Sequence, residues 1–159
     1  MQTCTKMQAI IEQLAAKHGL DLSKSEGHIK LLNSGYMPLV IEKIGPQLVS
    51  VTHYYYQEGD ACADPDMMFY TSAGGWMPVE ITQVLGYQRC VTFNGQGEPE
   101  GIDGRAYADL LEFAEFWAGN IADQGWLDRG HPPAPDPPPR PAPTPLLPPA
   151  PPPSVLLTV

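Results

Sequence analysis

The distribution of proline divides this chain into two parts. Of its 159 residues, 19 are proline, and 14 of these lie between Pro132 and Pro153. Proline lacks a backbone N–H and fixes φ, so a segment this rich in proline forms neither a helix interior nor a central strand. We therefore predict one globular domain over residues 1–130 and a disordered proline-rich tail over residues 131–159. A domain of about 130 residues is long enough for one hydrophobic core but too short for a two-domain enzyme.

The tail is interpreted as a spacer. Pro135, Pro138 and Arg140 fit a P-x-x-P-x-R pattern that aromatic grooves recognise, but such a match is nearly inevitable in a tract of this composition. The apolar residues 155–159 are too few to act as a membrane anchor.

Charge is concentrated in the second half of the globular part. Residues 1–57 carry five lysines against four acids, residues 58–128 carry two arginines against thirteen acids, and the remainder carries two arginines against one acid. The net charge of −9 thus resolves into +1, −11 and +1. Such a negative field repels phosphate backbones and anionic lipid, so we expect no direct nucleic-acid or membrane binding and favour a basic protein partner. Solubility alone also accounts for an acidic surface.

Cysteine usage and the N-terminal sequence both favour a cytoplasmic protein. The three cysteines, Cys4, Cys62 and Cys90, include no C-x-x-C pair and no zinc-finger spacing with histidine. Reduced thiols are the expected state. The chain begins without a secretory signal pattern and contains no run of 18 apolar residues.

Helical periodicity occurs at both ends of the globular part. Near the N-terminus, Thr5 and Gln8 form a capping-box pattern, and Gly19 suits a helix stop. A second helix is predicted to begin after Asp103, which can cap it, and to end at Gly125. The apolar stripe of that second helix comprises Tyr107, Leu110, Leu111, Ala114, Trp117, Ala118 and Ile121.

Between the helices, short apolar runs alternate with period two and are separated by turn sequences. The predicted strands centre on Ile29/Leu31, Leu39/Ile41, Val49 to Tyr55, Met68 to Tyr70, Met77 to Ile81, and Tyr87 to Phe93. Strands joined by tight turns form antiparallel meanders. The predicted class is therefore α+β: an antiparallel β-meander of five or six strands, with an N-terminal and a C-terminal helix packed on one face.

The polar stretch from residue 53 to residue 67 contains one imidazole and three carboxylates. If the chain folded back as a loop, His53, Asp60, Asp64 and Asp66 could form a site for a divalent metal. The spacing matches no calcium loop, and Asp64-Pro65 also suits the first two positions of a type I turn. A metal site, a structural turn and a partner-binding edge therefore remain open.

His53 and the residues after it allow two further interpretations. His53 shares a strand face with Val51, which favours a buried position in the core. If His53 instead contacted Asp60, the pair could act as a general base. The acids Glu58 and Asp60 at the turn are candidates for contact with a partner.

The second predicted helix presents an unusual exposed face. At 100° per residue, Phe116 lies opposite the apolar stripe, among Asp109, Glu112 and Asp123. An aromatic ring among acids is a surface that an arginine or lysine side chain of a partner can cover. Alternatively, a neighbouring segment such as that of Trp126 buries the ring.

The chain reads His53-Tyr54, then Gly59-Asp60, then Asp64-Pro65-Asp66-Met67 and Phe69. With the Trp76-Met77-Pro78 strand and the aromatic closing helix, this pattern resembles a family of small proteins of unknown function in bacterial mobile elements and phages. The similarity covers residues 28–126. Glu58 stands where that family often has asparagine, which disfavours a strict type I′ turn.

The resemblance implies no established activity and no catalytic residue. It implies a cytoplasmic accessory protein carried by a plasmid, an integrative element or a prophage. We therefore expect a non-enzymatic protein that binds a basic partner through its acidic surface and interferes with a host defence or regulatory system. The alternative is a metal-dependent hydrolase, or a metal-stabilised site, at His53, Asp60 and Asp64. No cofactor is expected under the first hypothesis, and the oligomeric state is left open.

Overall fold

The computed structural model describes residues 1–139 and confirms the α+β class. Three helices are present in these residues: α1 (Thr5–Lys17), α2 (Gly104–Asp123) and α3 (Trp126–Arg129). Eight strands lie between α1 and α2: β1 (Gly27–Leu31), β2 (Leu39–Gly45), β3 (Leu48–Gln57), β4 (Asp60–Ser72), β5 (Gly75–Gln83), β6 (Gly86–Arg89), β7 (Val91–Phe93) and β8 (Pro99–Ile102). None of the helices within residues 1–139 combines the length and the hydropathy that spanning a lipid bilayer requires.

The first six strands form one antiparallel sheet in the order β1-β2-β3-β4-β5-β6, so each strand pairs with its sequence neighbour. Strands β7 and β8 form a separate hairpin. On β3, Val49, Val51 and His53 alternate along one buried face. The ring of His53 contacts Trp117 of α2 and Trp126 of α3. Met7, Ile11 and Leu14 of α1 belong to the same core, so the N-terminal and C-terminal helices pack on this face, as predicted.

The two long helices begin in different ways. Asp103 caps α2 as predicted, because its carboxylate accepts hydrogen bonds from the backbone N–H groups of Arg105 and Ala106, both at 3.1 Å. The capping box predicted for Thr5 and Gln8 is wrong. The Thr5 hydroxyl donates to the carbonyl oxygen of Thr3, and Gln8 donates to Glu12 farther along α1.

The predicted strand from Tyr87 to Phe93 is two strands in the structure. Cys90 separates β6 from β7, and its backbone N–H donates to the carbonyl oxygen of Val79 at 2.8 Å. Beyond Cys90 the chain leaves the six-stranded sheet and pairs with β8, a strand that the sequence did not predict.

The polar stretch after His53 is a strand instead of a loop. Only Glu58 and Gly59 form the turn, both with positive φ (52° and 90°), as in a type I′ turn. The type I turn expected at Asp64-Pro65 is therefore wrong, as is the expectation that Glu58 disfavours a type I′ turn. The physical reason is long-range pairing: β4 extends from Asp60 to Ser72 and pairs with β3 on both sides of Asp64-Pro65, where the antiparallel register shifts at a β-bulge.

The start of the predicted tail contacts the sheet. His131 forms an antiparallel bridge with Leu32, through hydrogen bonds of 2.7 and 3.0 Å between their backbones. Residues 132–139 contain no helix or strand and are exposed. Residues 140–159 lie outside the described part of the chain, and so does Arg140 of the P-x-x-P-x-R pattern. For these residues the disordered tail stays a prediction.

Candidate partner-binding surface

The rotation of α2 about its axis is fixed by its buried side chains. The apolar stripe that covers the sheet and α1 comprises Ala106, Tyr107, Leu110, Ala114, Trp117, Ala118 and Ile121. Leu111, predicted in this stripe, is only partly buried. The C-terminal end of α2 is held by Asn33, whose side-chain amide donates to the carbonyl oxygen of Gln124 at 2.9 Å. The opposite face of α2 is therefore turned to solvent.

That exposed face carries all four residues predicted for it. The side chain of Phe116 is 67% exposed, and Asp109, Glu112 and Asp123 are exposed as well. Spacings of three, four and seven residues place them on one side of the helix. We call Asp109, Glu112, Phe116 and Asp123 the α2 acidic face. Neither the loop before Asp103 nor the segment of Trp126 buries the Phe116 ring.

A shallow pocket lies at the N-terminal half of this face. It has a volume of about 320 Å³ and is lined by Asp109, Glu112, Phe113 and Phe116. Phe113 is partly buried and packs against Trp117, with ring centroids 6.2 Å apart. The floor of the pocket is therefore anchored in the core while its rim is acidic. A long side chain with an apolar stem and a cationic end matches this arrangement.

Glu115, next to Phe116 in sequence, has a different role. Its carboxylate accepts hydrogen bonds from the backbone N–H of Lys6 at 3.0 and 3.1 Å, and from that of Met7 at 3.2 Å. Glu115 therefore caps the N-terminus of α1 from another helix, where a negative charge also complements the helix dipole. Nothing in the local sequence signals this contact, because the two residues lie 109 positions apart.

Glu58 and Asp60, the other acids proposed for partner binding, lie at the tip of the β3–β4 hairpin. Both are exposed. They do not line the pocket beside Phe116. The structure therefore places Glu58 and Asp60 apart from the α2 acidic face, where the exposed ring of Phe116 lines the pocket.

His53, the imidazole of the metal hypothesis, lies in the core. It is 7% exposed, and its ring centroid is 5.6 Å from that of Trp117 and 5.7 Å from that of Trp126. Its Nδ1 donates to the carbonyl oxygen of Pro38 at 3.2 Å. Burial lowers the pKa of His53, and the hydrogen bond to Pro38 opposes this effect in part. The core interpretation of His53 is therefore the one the geometry favours.

The carboxylates of the metal hypothesis are dispersed along β4. Asp66 accepts hydrogen bonds from the hydroxyls of Ser50 and Thr52, at 2.8 and 2.9 Å, on the β3 face opposite His53. Asp60 is exposed at the hairpin tip, while Asp64 borders a pocket with Val84 and Leu85 near the β5–β6 turn. Within residues 1–139 no three histidine, cysteine or acidic side chains are arranged to hold a metal ion.

The three cysteines are free thiols, as expected. Cys4 and Cys90 are buried, and burial raises the pKa of Cys4 to about 12 and that of Cys90 to about 11. Both thiols therefore remain protonated at neutral pH, which disfavours nucleophilic chemistry.

Sequence reasoning missed one exposed apolar group. Val84 and Leu85 form the two-residue turn between β5 and β6, and their side chains are 60% and 99% exposed. The available signal was the sequence Val84-Leu85-Gly86 itself, because an apolar pair is an unusual choice for a hairpin turn.

Comparison with known protein families gives one match. A family model described as a domain of unknown function (DUF6908) matches residues 6–127. This range includes α1 except its first residue, both sheets and α2. No curated protein and no solved structure matches the chain.

Proposed function

The chain belongs to the DUF6908 family, a domain of unknown function, and we propose that it is a binding protein whose α2 acidic face takes a basic protein partner. The proposal concerns recognition and includes no catalytic step. Its central observation is the exposure of Phe116, two-thirds of whose side chain lies in solvent beside a pocket rimmed by acids.

Single exposed apolar residues are common, but the ring of Phe116 also lines a pocket that Asp109 and Glu112 border. Central aromatic residues surrounded by polar ones are typical of energetically dominant positions in protein interfaces. Here Asp109 and Glu112 supply the polar surround within the same pocket. The face thus combines an apolar anchor with charges that select a partner of opposite sign.

The charge distribution supports the basic character of the partner. Residues 58–128 carry a net charge of −11, and α2 lies within this range. A field of this sign accelerates encounter with cationic surfaces and repels nucleic acid. Proteins that handle nucleic acid present such cationic surfaces. With the resemblance to mobile-element and phage proteins, this leads us to propose a partner in a host defence or regulatory system.

The proposal is tested by co-purification with the full-length chain from host cells, followed by titration with each purified candidate partner. Two variants probe the α2 acidic face: Phe116→Ser, and the triple variant Asp109→Asn/Glu112→Gln/Asp123→Asn. We expect each to weaken binding of the genuine partner at least about tenfold, because truncating a central interface anchor typically costs about 2 kcal/mol or more.

A second triple variant provides the matched control. Glu26, Glu42 and Glu98 are exposed and lie outside α2. Their replacement by glutamine changes the net charge by the same amount as the first triple variant. Binding should survive this change. Equal losses in both triple variants would show that overall charge, instead of the α2 acidic face, attracts the partner, and undiminished binding by Phe116→Ser would exclude the aromatic anchor.

A further inference from the structure

The two edge strands of the six-stranded sheet, β1 and β6, differ in whether another segment covers them. At the β1 edge, the bridge between Leu32 and His131 occupies the end of the strand. Pro132 and Pro133 follow it and line a pocket together with residues 28–31. Because proline has no N–H to donate, this segment shields the edge against addition of a further strand.

The β6 edge has no such cover within residues 1–139. The N–H of Cys90 points toward β5, since it donates to Val79. Backbone direction alternates along a strand, so the N–H of Gln88 also points toward β5, and those of Tyr87 and Arg89 point away from the sheet. Tyr87 and Arg89 therefore each direct a backbone N–H and C=O outward, where an added strand could pair with them.

Apolar side chains surround this open edge. Leu85 is 99% exposed, Val84 60% and Tyr87 58%. A pocket of about 350 Å³ opens beside them, with Ile81, Leu85 and Tyr87 among its lining residues. An edge strand with outward hydrogen-bonding groups and an apolar pocket is the arrangement that β-strand addition uses.

We propose that residues 155–159 of the same molecule add to β6 as a seventh strand of the sheet. This segment, Val155-Leu156-Leu157-Thr158-Val159, contains no charge and no proline, unlike the tract that precedes it. Its β-branched and leucine residues favour a strand. With five residues, the segment is long enough to pair along all four residues of β6. Alternate side chains would cover Leu85 and fill the pocket beside Ile81.

The length of the intervening chain permits this contact. From Pro139, the last described residue, 16 residue steps lead to Val155, and a chain of this length spans about 50 Å at about 3.1 Å per residue in polyproline II geometry. Six strands spaced about 4.8 Å apart measure about 24 Å across. The tract that was interpreted as a spacer is therefore long enough to span the distance from the β1 edge to the β6 edge of the sheet.

Residue-resolved amide hydrogen exchange on the full-length protein tests the proposal. The informative variant is Val155→Ser/Leu157→Ser/Val159→Ser, which keeps the length of the chain. We expect the amides of Tyr87 and Arg89 to exchange at least about tenfold faster in this variant than in the wild type. The amide of Gln88, which is already paired with β5, should exchange at the same rate in both.

The control variant is Leu146→Ser/Leu147→Ser, which removes the two leucines within the proline-dense tract and leaves residues 155–159 intact. It should leave the exchange of Tyr87 and Arg89 unchanged. Equal exchange rates for these amides in the wild type and the 155–159 variant would overturn the proposal. Protection that weakens on dilution would overturn it as well, since the strand would then come from a second copy.

Discussion

The carboxylate of Glu115 accepts hydrogen bonds from the backbone N–H of Lys6, and so joins two helices whose contacting residues lie 109 positions apart. The first turn of any helix leaves N–H groups without a partner inside the helix. Cys4, at the N-cap position of α1, offers no side-chain hydrogen bond to them. Glu115 on α2 supplies the hydrogen-bond acceptor that the sequence before α1 lacks.

Replacement of Glu115 by alanine should therefore destabilise the fold. Loss of an N-cap typically costs about 1–2 kcal/mol, and here it also leaves the partly buried N–H of Met7 without its acceptor. The measurement is the free energy of unfolding in urea. Glu112→Ala, an exposed change on the same helix, should alter that free energy by less than about 0.5 kcal/mol. A similar, small effect of both substitutions would contradict the capping role.

The neighbouring aromatic residues Phe113 and Phe116 should respond differently to truncation. Phe113 packs against Trp117, so Phe113→Ala should lower the free energy of unfolding by more than about 1 kcal/mol. Phe116 is mostly in solvent, so Phe116→Ala should change it by less than about 0.5 kcal/mol. Thermal or urea unfolding distinguishes them. A large loss for Phe116→Ala would make the ring structural and weaken the proposed binding role.

The turn at Glu58 offers a stabilising substitution. Glu58 has φ of 52°, a left-handed conformation that costs most side chains about 1 kcal/mol and that asparagine and glycine tolerate better. We expect Glu58→Asn to raise the free energy of unfolding by about 0.5–1 kcal/mol. Glu58→Ala removes the same charge without easing the backbone, so it should give no gain. Equal gains for both variants would attribute the effect to charge.

The buried His53 should make stability depend on pH. Its pKa is lowered in the folded protein, so the unfolded chain binds a proton first as pH falls below about 6.5. The part of the unfolding free energy that depends on neutral His53 is fully present above about pH 6.5. It is lost as the pH falls through the lower pKa of the folded protein. The free energy of unfolding should drop by at most about 1.4 kcal/mol per pH unit for this site.

The comparison of His53→Gln and His53→Phe with the wild type checks this dependence. Both variants should show a shallower fall in unfolding free energy below pH 6.5, whatever their absolute stability. The pKa of His18 is also lowered by burial, so part of the slope should remain until His18 is replaced too. An unchanged slope in both His53 variants would mean that other groups dominate the acid sensitivity.

Periodicity identified most of the architecture because the features concerned are local. The buried stripe of α2, the cap at Asp103 and the alternation on β3 all depend on residues near one another in sequence. The rotation of α2 followed from the same stripe, which is why the exposure of Phe116 and its acidic neighbours could be predicted.

The errors arose where distant residues decide the structure. Asp64-Pro65 has the sequence of a turn, yet it lies within a strand because β3 pairs with Ala63 and Asp66 on either side of it, and Ser50 and Thr52 donate hydrogen bonds to Asp66. Glu115 resembles an ordinary solvated acid, and only tertiary structure brings it to α1. Partners distant in sequence leave no signature in a short window, so propensity alone could not identify either contact.

The order of strands also has a consequence for how the chain folds during synthesis. Neighbouring strands close short loops at little entropic cost, whereas the contact of Glu115 with Lys6 closes a long one. The sheet can therefore form one hairpin at a time, while its apolar face stays exposed to solvent until α2 is synthesised and packs on it. Until Trp126 leaves the ribosome, that face is open to aggregation or to a chaperone, so truncation before α2 should give an insoluble product.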